Sequence, residues 1–389
     1  MGFAICGIDR GESGSSDADM GRRPTIRDVA LRAKVSPATV SRLINGSAGV
    51  GSEREGAVRA AMEALGYVPS RLAQNFARGA SRTVIIPVEG DQQALSNNPF
   101  LMALVLGLND VLADRDYSVR IMHGPYRGDG VPITTAKWST EAWQRREFDA
   151  MVVVNPTADN SLIEAIVQIG VPAVVIGRCP DVPGVFQVDV DNIGGARQAT
   201  THLTDLGHRN IAFLGPPLAL TAAFDRQRGY LEGLARIGIN PAKDWVIETS
   251  GTKWNALSFE AAYHAVKEAV SVLPVWSGLV AFNDEMALGA IRAMLERGLK
   301  VPDDVSVVGF DDLPMARMVN PALSTVHQDI RQLGQHAGRT LLSVLQGRAT
   351  ASLTIQTVSF VARASAVKAR DQNLQSKGAL RDGFDNSSA

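Results

Sequence analysis

An α/β body behind a small helical head is the fold class this sequence predicts, and three observations predict it. Short β-branched runs recur through residues 83–363, and amphipathic stretches of helical length separate most of them, the grammar of parallel sheets covered by helices. Glycine is frequent, at 36 of 389 residues, and aromatic residues make up only 6%, which suits many tight connections between alternating elements. Positive charge is gathered in one place. Between Arg22 and Ala80 ten Lys or Arg stand against four Asp or Glu, although the whole chain carries a formal charge of -1. A polyanionic partner for the small part alone is one reading of that asymmetry, and a solvated basic helical surface is the other.

The elements of the head follow from their punctuation. Residues 1–21 are rich in Gly, Ser and Asp without a period, and they are expected to be disordered. Thr25 with Asp28 reads as an N-cap pair for a first helix carrying Ile26, Val29, Ala30 and Ala33. After Lys34-Val35, Ser36-Pro37 restarts the chain as N-cap and N1 proline, and the second helix runs to about Ile44 before Asn45-Gly46. Ser52 with Glu55 predicts a capping box for a third helix that ends at Gly66. Two helices across a short turn, with a third packed on them, make a helix-turn-helix.

In the body, strands are expected at Val84–Val88, Val119–Met122, Met151–Val154, Ala173–Ile176, Phe186–Val190, Ile211–Leu214, Leu279–Phe282, Val305–Gly309 and Ile355–Val361. So many strands fit two Rossmann-like parallel-sheet lobes better than one sheet, and a cleft beyond the strands' carboxyl ends is the default ligand site. From Ala366 on, the chain is polar and patternless and is expected to be a disordered tail.

Several function classes drop out. No window approaches 18 uninterrupted apolar residues, so no membrane partner is expected. Cys6 and Cys179 are the only cysteines and lie far apart, which points to a reducing, cytoplasmic setting rather than a disulfide framework. No phosphate-loop, zinc-helix or paired-cysteine motif occurs, and no catalytic constellation is found; no cofactor, metal or enzymatic activity is expected.

The second helix is the one placed to enter a major groove. Pro37, Ala38 and Ser41 lie at its exposed start and Arg42 reaches outward, where an arginine can bond guanine and an alanine can touch a thymine methyl. Ser36, Thr39 and Asn45 suit phosphate contacts, and Ser36 is equally a helix cap.

The run TIRDVALRAKVSPATVSRLINGS (Thr25–Ser47) resembles the N-terminal signature of the lactose/galactose repressor family of bacterial transcription regulators. The resemblance continues through LGYVPSRLAQNFARG (Leu65–Gly79) and VDVDNIGGARQATTHLTDLGHRNIAFLGP (Val188–Pro216). It then covers DRQRGYLEGLARIGI (Asp225–Ile239), FNDEMALGAIRAMLERGLKVPDDVSVVGFDD (Phe282–Asp312) and NPALSTVHQDIRQLG (Asn320–Gly334). It implies a DNA-binding head at 22–68 contacting DNA through Thr25 and the second helix, and a hinge helix and linker at 69–82. There Phe76 stands where the family more often has a leucine wedge for the minor groove, and Ala73 matches the small residue beside it.

The resemblance further implies a two-lobed body, like that of periplasmic binding proteins, at 83–365. Lobe 1 would comprise about 83–190 and 327–352, and lobe 2 about 191–326 and 353–365. In its cleft, Arg226, Asn283 and Asp311 match ligand contacts, with Asn98 and Phe100 from the first lobe and Arg178 and Asp191 near a lobe crossing. An arginine, an amide and a carboxylate suit the hydroxyls of a sugar. Trp254 reads either as an aromatic flanking a sugar ring or as a surface aromatic in a loop. The implied function is a repressor whose affinity for a pseudo-palindromic operator is switched by a small-molecule effector, most plausibly a sugar. The tail lacks an apolar heptad, so a homodimer is expected. The rival readings are an exported sugar-binding protein, which the basic head opposes, and an enzyme on the same scaffold.

Overall fold

The computed structural model describes residues 23–45, 51–69, 80–88, 98–124, 134–157, 159, 161–179, 182, 185–251, 254–272, 276–348 and 353–370. The N-terminal extension, the hinge positions Ala73 and Phe76, and the tail from 371 lie outside the described residues. The chain divides into two compact units, residues 1–81 and 82–389.

The head is three helices, α1 (Ile26–Arg32), α2 (Pro37–Ile44) and α3 (Ser52–Leu65). Val29, Ala30, Val40, Val58 and Ala61 form its core. The Asp28 carboxylate accepts from Thr25 N at 2.8 Å and Thr25 Oγ1 at 2.7 Å, tying down the start of α1. The turn to α2 is tight enough to hold Lys34 at φ 52. Ser36 Oγ accepts from Thr39 N at 3.1 Å with Pro37 at N1, as that local sequence dictates. The capping box expected for α3 does not form. Gly51 is the N-cap, Ser52 is already helical, and Glu55 turns to Arg59 one turn on, at 2.5 Å.

The body contains two six-stranded sheets. Lobe 1 orders β2 (Ser118–His123), β1 (Thr83–Val88), β3 (Ala150–Val154), β4 (Ala173–Ile176), β5 (Phe186–Val190) and β11 (Leu353–Gln356) side by side, all parallel. Lobe 2 orders β7 (Val246–Glu248), β6 (Ile211–Gly215), β8 (Gly278–Ala281), β9 (Ser306–Asp311) and β10 (Ser324–His327), with β12 (Ser359–Val361) antiparallel at the edge. Each lobe's first five strands thus repeat the 2-1-3-4-5 doubly wound order, which opens a crevice at the carboxyl ends of the strands. β1, β3, β6 and β9 are buried along their whole length, so they read as unbroken apolar runs.

Helices α4 (Pro99–Leu112), α5 (Thr135–Gln144) and α6 (Ser161–Gln168) belong to lobe 1, joined by α12 (Ile330–Leu345) returning from the C-terminal half. Helices α7 (Asn192–Asp205), α8 (Thr221–Ala235), α9 (Phe259–Val272), α10 (Asp284–Glu296) and the short α11 (Met315–Met318) belong to lobe 2. Gly229 sets the approach of α8 to α7: a Cβ there would stand 2.2 Å from the Ile193 carbonyl oxygen. Gly107 does the same for α4 against α12, where a Cβ would stand 2.0 Å from Arg331 O.

Two boundaries are corrected. The run Ile355–Val361 is not one strand: its first half pairs with β5 in lobe 1 and its second with β10 in lobe 2. The last crossing between lobes therefore falls after Gln356, and residues 353–356 belong to lobe 1. Nor does the structured chain end at 365. Val367 N donates to Ser306 Oγ at 3.0 Å, His208 Nε2 bonds Val367 O at 2.8 Å, and Ala369 N donates to Leu206 O at 2.9 Å. Polar composition hid a segment held by its backbone rather than by apolar side chains.

Candidate functional site

A cleft opens where the carboxyl ends of the two sheets face each other. Lobe 1 lines it with Asn98, Phe100, Asn155, Ile176, Gly177, Asp189 and Val190; lobe 2 does so with Asn192, Arg226, Trp254, Phe282, Asn283, Glu285, Asp311 and Gln328, among others. Six of the expected ligand residues come together here: Asn98, Phe100, Arg226, Trp254, Asn283 and Asp311.

Local sequence explains each placement. Asn98 precedes Pro99 and caps α4, its Oδ1 accepting from Leu101 N at 2.8 Å, so Phe100 starts the helix at the cleft wall. Asn283 follows β8 and caps α10, its Oδ1 accepting from Met286 N at 2.7 Å and its Nδ2 donating to Leu257 O at 3.2 Å. Arg226 projects from the first half of α8 and is almost wholly buried. Its Nε donates to Asn192 Oδ1 at 2.8 Å, its Nη1 donates to Phe282 O, and its guanidinium lies 3.6 Å and 4.4 Å from the Phe310 and Phe282 ring centres. Asp311, the last residue of β9, stands 3.6 Å from Arg226 Nη1 and accepts from Gln328 Nε2. Its φ of 113 is a left-handed conformation that a non-glycine residue adopts only when its surroundings impose it. Nearby, the Asp284 carboxylate accepts from Leu313 N at 2.7 Å and Thr325 Oγ1 at 2.5 Å.

Trp254 is resolved in favour of the cleft. It is 3% exposed, not a surface aromatic, and among the described residues its Nε1–H has no hydrogen-bond partner.

Burial dominates the electrostatics. It pushes Asp189 up to about 6, although Arg226 and Arg178 oppose the shift. It pushes Asp311 up to about 6 against Arg226 and the Gln328 bond. Glu285 rises to about 7 through burial first and then the like charges of Asp311 and Glu260. Burial also lowers Arg226, and the carboxylates around it, Asp311 first, hold its charge in place.

Arg178 and Asp191 fall outside the lining because other bonds claim them. Arg178 grips Asp225 of lobe 2 through Nε at 2.7 Å and also through Nη2. Asp191 caps α7, accepting from Gly194 N at 2.8 Å. In its stead Asp189, two residues earlier and within β5, lines the cleft. Asn155, Asn192, Glu285 and Gln328 were also missed. Each lies within four residues of a strand's end, the one signal that marks them. No group of His, Cys, Asp and Glu among the described residues is disposed to hold a metal ion.

In the head, Ser36, Pro37, Ala38 and Arg42 are exposed on one end and face of α2, and Thr39, Ser41 and Asn45 are half-buried beside them. Asn45 Nδ2 donates to Ser41 Oγ at 3.3 Å, and Thr25 stands at the start of α1, half-buried. Arg42 makes no ion pair among the described residues, so its guanidinium is free to bond outward.

Comparison with known proteins now decides the family. Residues 25–70 match the family described as bacterial regulatory proteins, lacI family, and residues 200–366 match the periplasmic binding protein-like domain. The transcriptional regulator CelR of Thermobifida fusca is 32% identical over 331 residues, 85% of this chain and 94% of that one. This chain belongs to the LacI family. The lactose operon repressor of Escherichia coli is 32% identical over 350 residues, 87% of this chain and 89% of the repressor. The lac repressor dimer bound to operator superimposes with a TM-score of 0.74 at 29% identity, covering 89% of this chain and 100% of that one. A CelR–cellobiose complex gives 0.66 at 31%, covering 88% and 100%. These LacI-family relatives are transcriptional regulators, not enzymes. Among the described residues no helix is long and apolar enough to cross a membrane.

Proposed function

We propose that this protein is a transcriptional regulator that binds an operator through α2 and releases or grips it according to a saccharide held between its lobes. The observation that carries the reading is the buried Arg226–Asp311 pair, clamped by two aromatic rings in a cleft that Trp254 also lines. Fixed donors and acceptors next to an aromatic wall fit the hydroxyls and flat face of a sugar ring. The relative solved with cellobiose lends the ligand class.

The switch works by differential binding. A saccharide that bonds both lobes favours the closed arrangement, and only a ligand with unequal affinity for two arrangements shifts their populations. Two heads of a homodimer, with Ala73 and Phe76 in hinge helices of residues 69–82, would meet the two halves of a pseudo-palindromic site.

The test uses the full chain. Calorimetric titration with cellobiose and a panel of neutral sugars is run beside gel retardation with DNA from upstream of its own gene. Arg226→Ala and Asp311→Asn are expected to lose about 1.5–3 kcal/mol of sugar affinity, roughly ten- to hundredfold, and to retain operator binding without sugar. Unchanged sugar affinity in both variants refutes this placement of the site. Equal retardation of operator and random DNA refutes the regulator.

A further inference from the structure

We infer that the cleft sorts saccharides by charge: it takes neutral or amino-bearing sugars and rejects phosphorylated or carboxylated ones, with Glu285 as the discriminating group. The inference rests on the saccharide reading above and names the class within it.

The charges that line the cleft are unbalanced. Among the described residues, Asp189, Glu285 and Asp311 line it with one cation, Arg226. That cation is already engaged, because Arg226 pairs with Asp311, donates to Asn192 and Phe282, and is flanked by two rings. An incoming phosphate would have to share that guanidinium with Asp311, whereas anion-binding sites are ordinarily built from an uncommitted one.

Glu285 is the least compensated of the acids. It sits in the first turn of α10, where the helix dipole favours a carboxylate, yet the charged groups that act on it are Asp311 and Glu260, both like charges. Among the described residues its side chain has no hydrogen-bond partner. Asp189 accepts from Val190 N and Asn192 Nδ2, both on Oδ1. A ligand's hydroxyl or ammonium protons would satisfy such acceptors, whereas a second anion would add repulsion in a water-poor site. Trp254 adds an aromatic, uncharged wall, which suits a sugar ring better than an anion.

The experiment titrates the full-length protein with matched sets: glucose, glucosamine, glucose 6-phosphate and glucuronate, then cellobiose and its phosphorylated and aldonic-acid forms. At pH 8.5, where Glu285, pushed up to about 7 by burial, is ionised, wild type is expected to bind a neutral or amino member at least a hundredfold more tightly than its anionic counterpart. Glu285→Gln should narrow that gap to tenfold or less, and Glu285→Asp should keep it. Circular dichroism and thermal melts confirm that each variant is folded. Anionic members binding within tenfold of the neutral ones would overturn the inference while leaving the saccharide reading intact. So would a full gap retained in Glu285→Gln. Binding of no member in either set would overturn the saccharide reading, and this inference with it.

Discussion

Arg178 of lobe 1 holds Asp225 of lobe 2 in a two-pronged ion pair across the mouth of the cleft. The two side chains are unequally placed: Arg178 keeps 35% of its surface exposed and Asp225 only 3%. Beside them Thr157 bridges to Leu220, and Thr221 N donates to Pro156 O at 3.3 Å. Bonds of this kind tie the two lobes directly to each other, so an arrangement that parts the lobes at this point would have to break them.

Breaking the pair from the arginine side should therefore cost more than removing it whole. Arg178→Ala strands the buried Asp225 carboxylate; because the arginine is partly solvated, the loss is expected to be about 1–3 kcal/mol rather than that of a fully buried pair. Adding Asp225→Asn should recover much of that stability. Both variants should nonetheless bind sugar several-fold more weakly, since apparent affinity scales with the fraction of closed molecules. Urea melts and calorimetric titrations of the three proteins check this. Equal sugar affinity in all three would show that the pair does not bear on closure.

The raised carboxyl groups predict how stability changes with pH. Glu285 goes from 4.5 to about 7 on folding, and Asp189 and Asp311 from 3.8 to about 6. In each case the folded state holds the proton more tightly. The stabilisation is complete below the unfolded value and is lost as pH rises through the folded one. Unfolding free energy should thus fall between about pH 4 and pH 7 from these groups. Comparing Glu285→Gln with wild type isolates one of them. The glutamine variant should gain stability relative to wild type on going from pH 4.5 to pH 8, by on the order of 3 kcal/mol. A difference that does not vary with pH would place Glu285 in solvent.

Much of the site was legible because its residues sit at abrupt changes of sequence pattern. Arg226 is readable since Gly229 must follow it to let α8 lie against α7, and Asn283 since an amide between an apolar run and a helix is a cap. Glu285 hid for the converse reason: an acid in the first turn of a helix reads as a complement to the dipole, and only burial shows that it faces a cavity. Gln328 went unseen because β10, Ser324–His327, is four residues long with one large apolar side chain, too little for a period. Arg178 and Asp191 were placed in the right region, but a loop's position does not say which way its side chain turns. The fold was legible down to its two parallel sheets. The exchange of β11 and β12 between lobes was not, because pairing partners come from tertiary packing and both halves of Ile355–Val361 are equally β-branched.

The head offers the sharpest contrast between two arginines. Arg59 on α3 is joined to Glu55 and lies on a helix whose role in the fold is to cover Val29 and Val40. Arg42 on α2 is exposed, carries no ion pair among the described residues and shares its surface with Pro37 and Ala38. If Arg42 reaches a guanine edge, Arg42→Ala should weaken operator binding by about 1–3 kcal/mol and relax specificity at one base pair per half-site. Stability should change little, because alanine is the better helix former and no buried contact is lost. Arg59→Ala should leave operator affinity nearly unchanged, its surface pair being worth under about 1 kcal/mol. The measurement is a set of binding titrations on operator and random DNA across a salt series. A phosphate contact would appear as an equal loss on both DNAs with a salt slope smaller by about one, and that outcome would remove Arg42 from base reading. A loss confined to the operator, with the slope unchanged, assigns it the guanine.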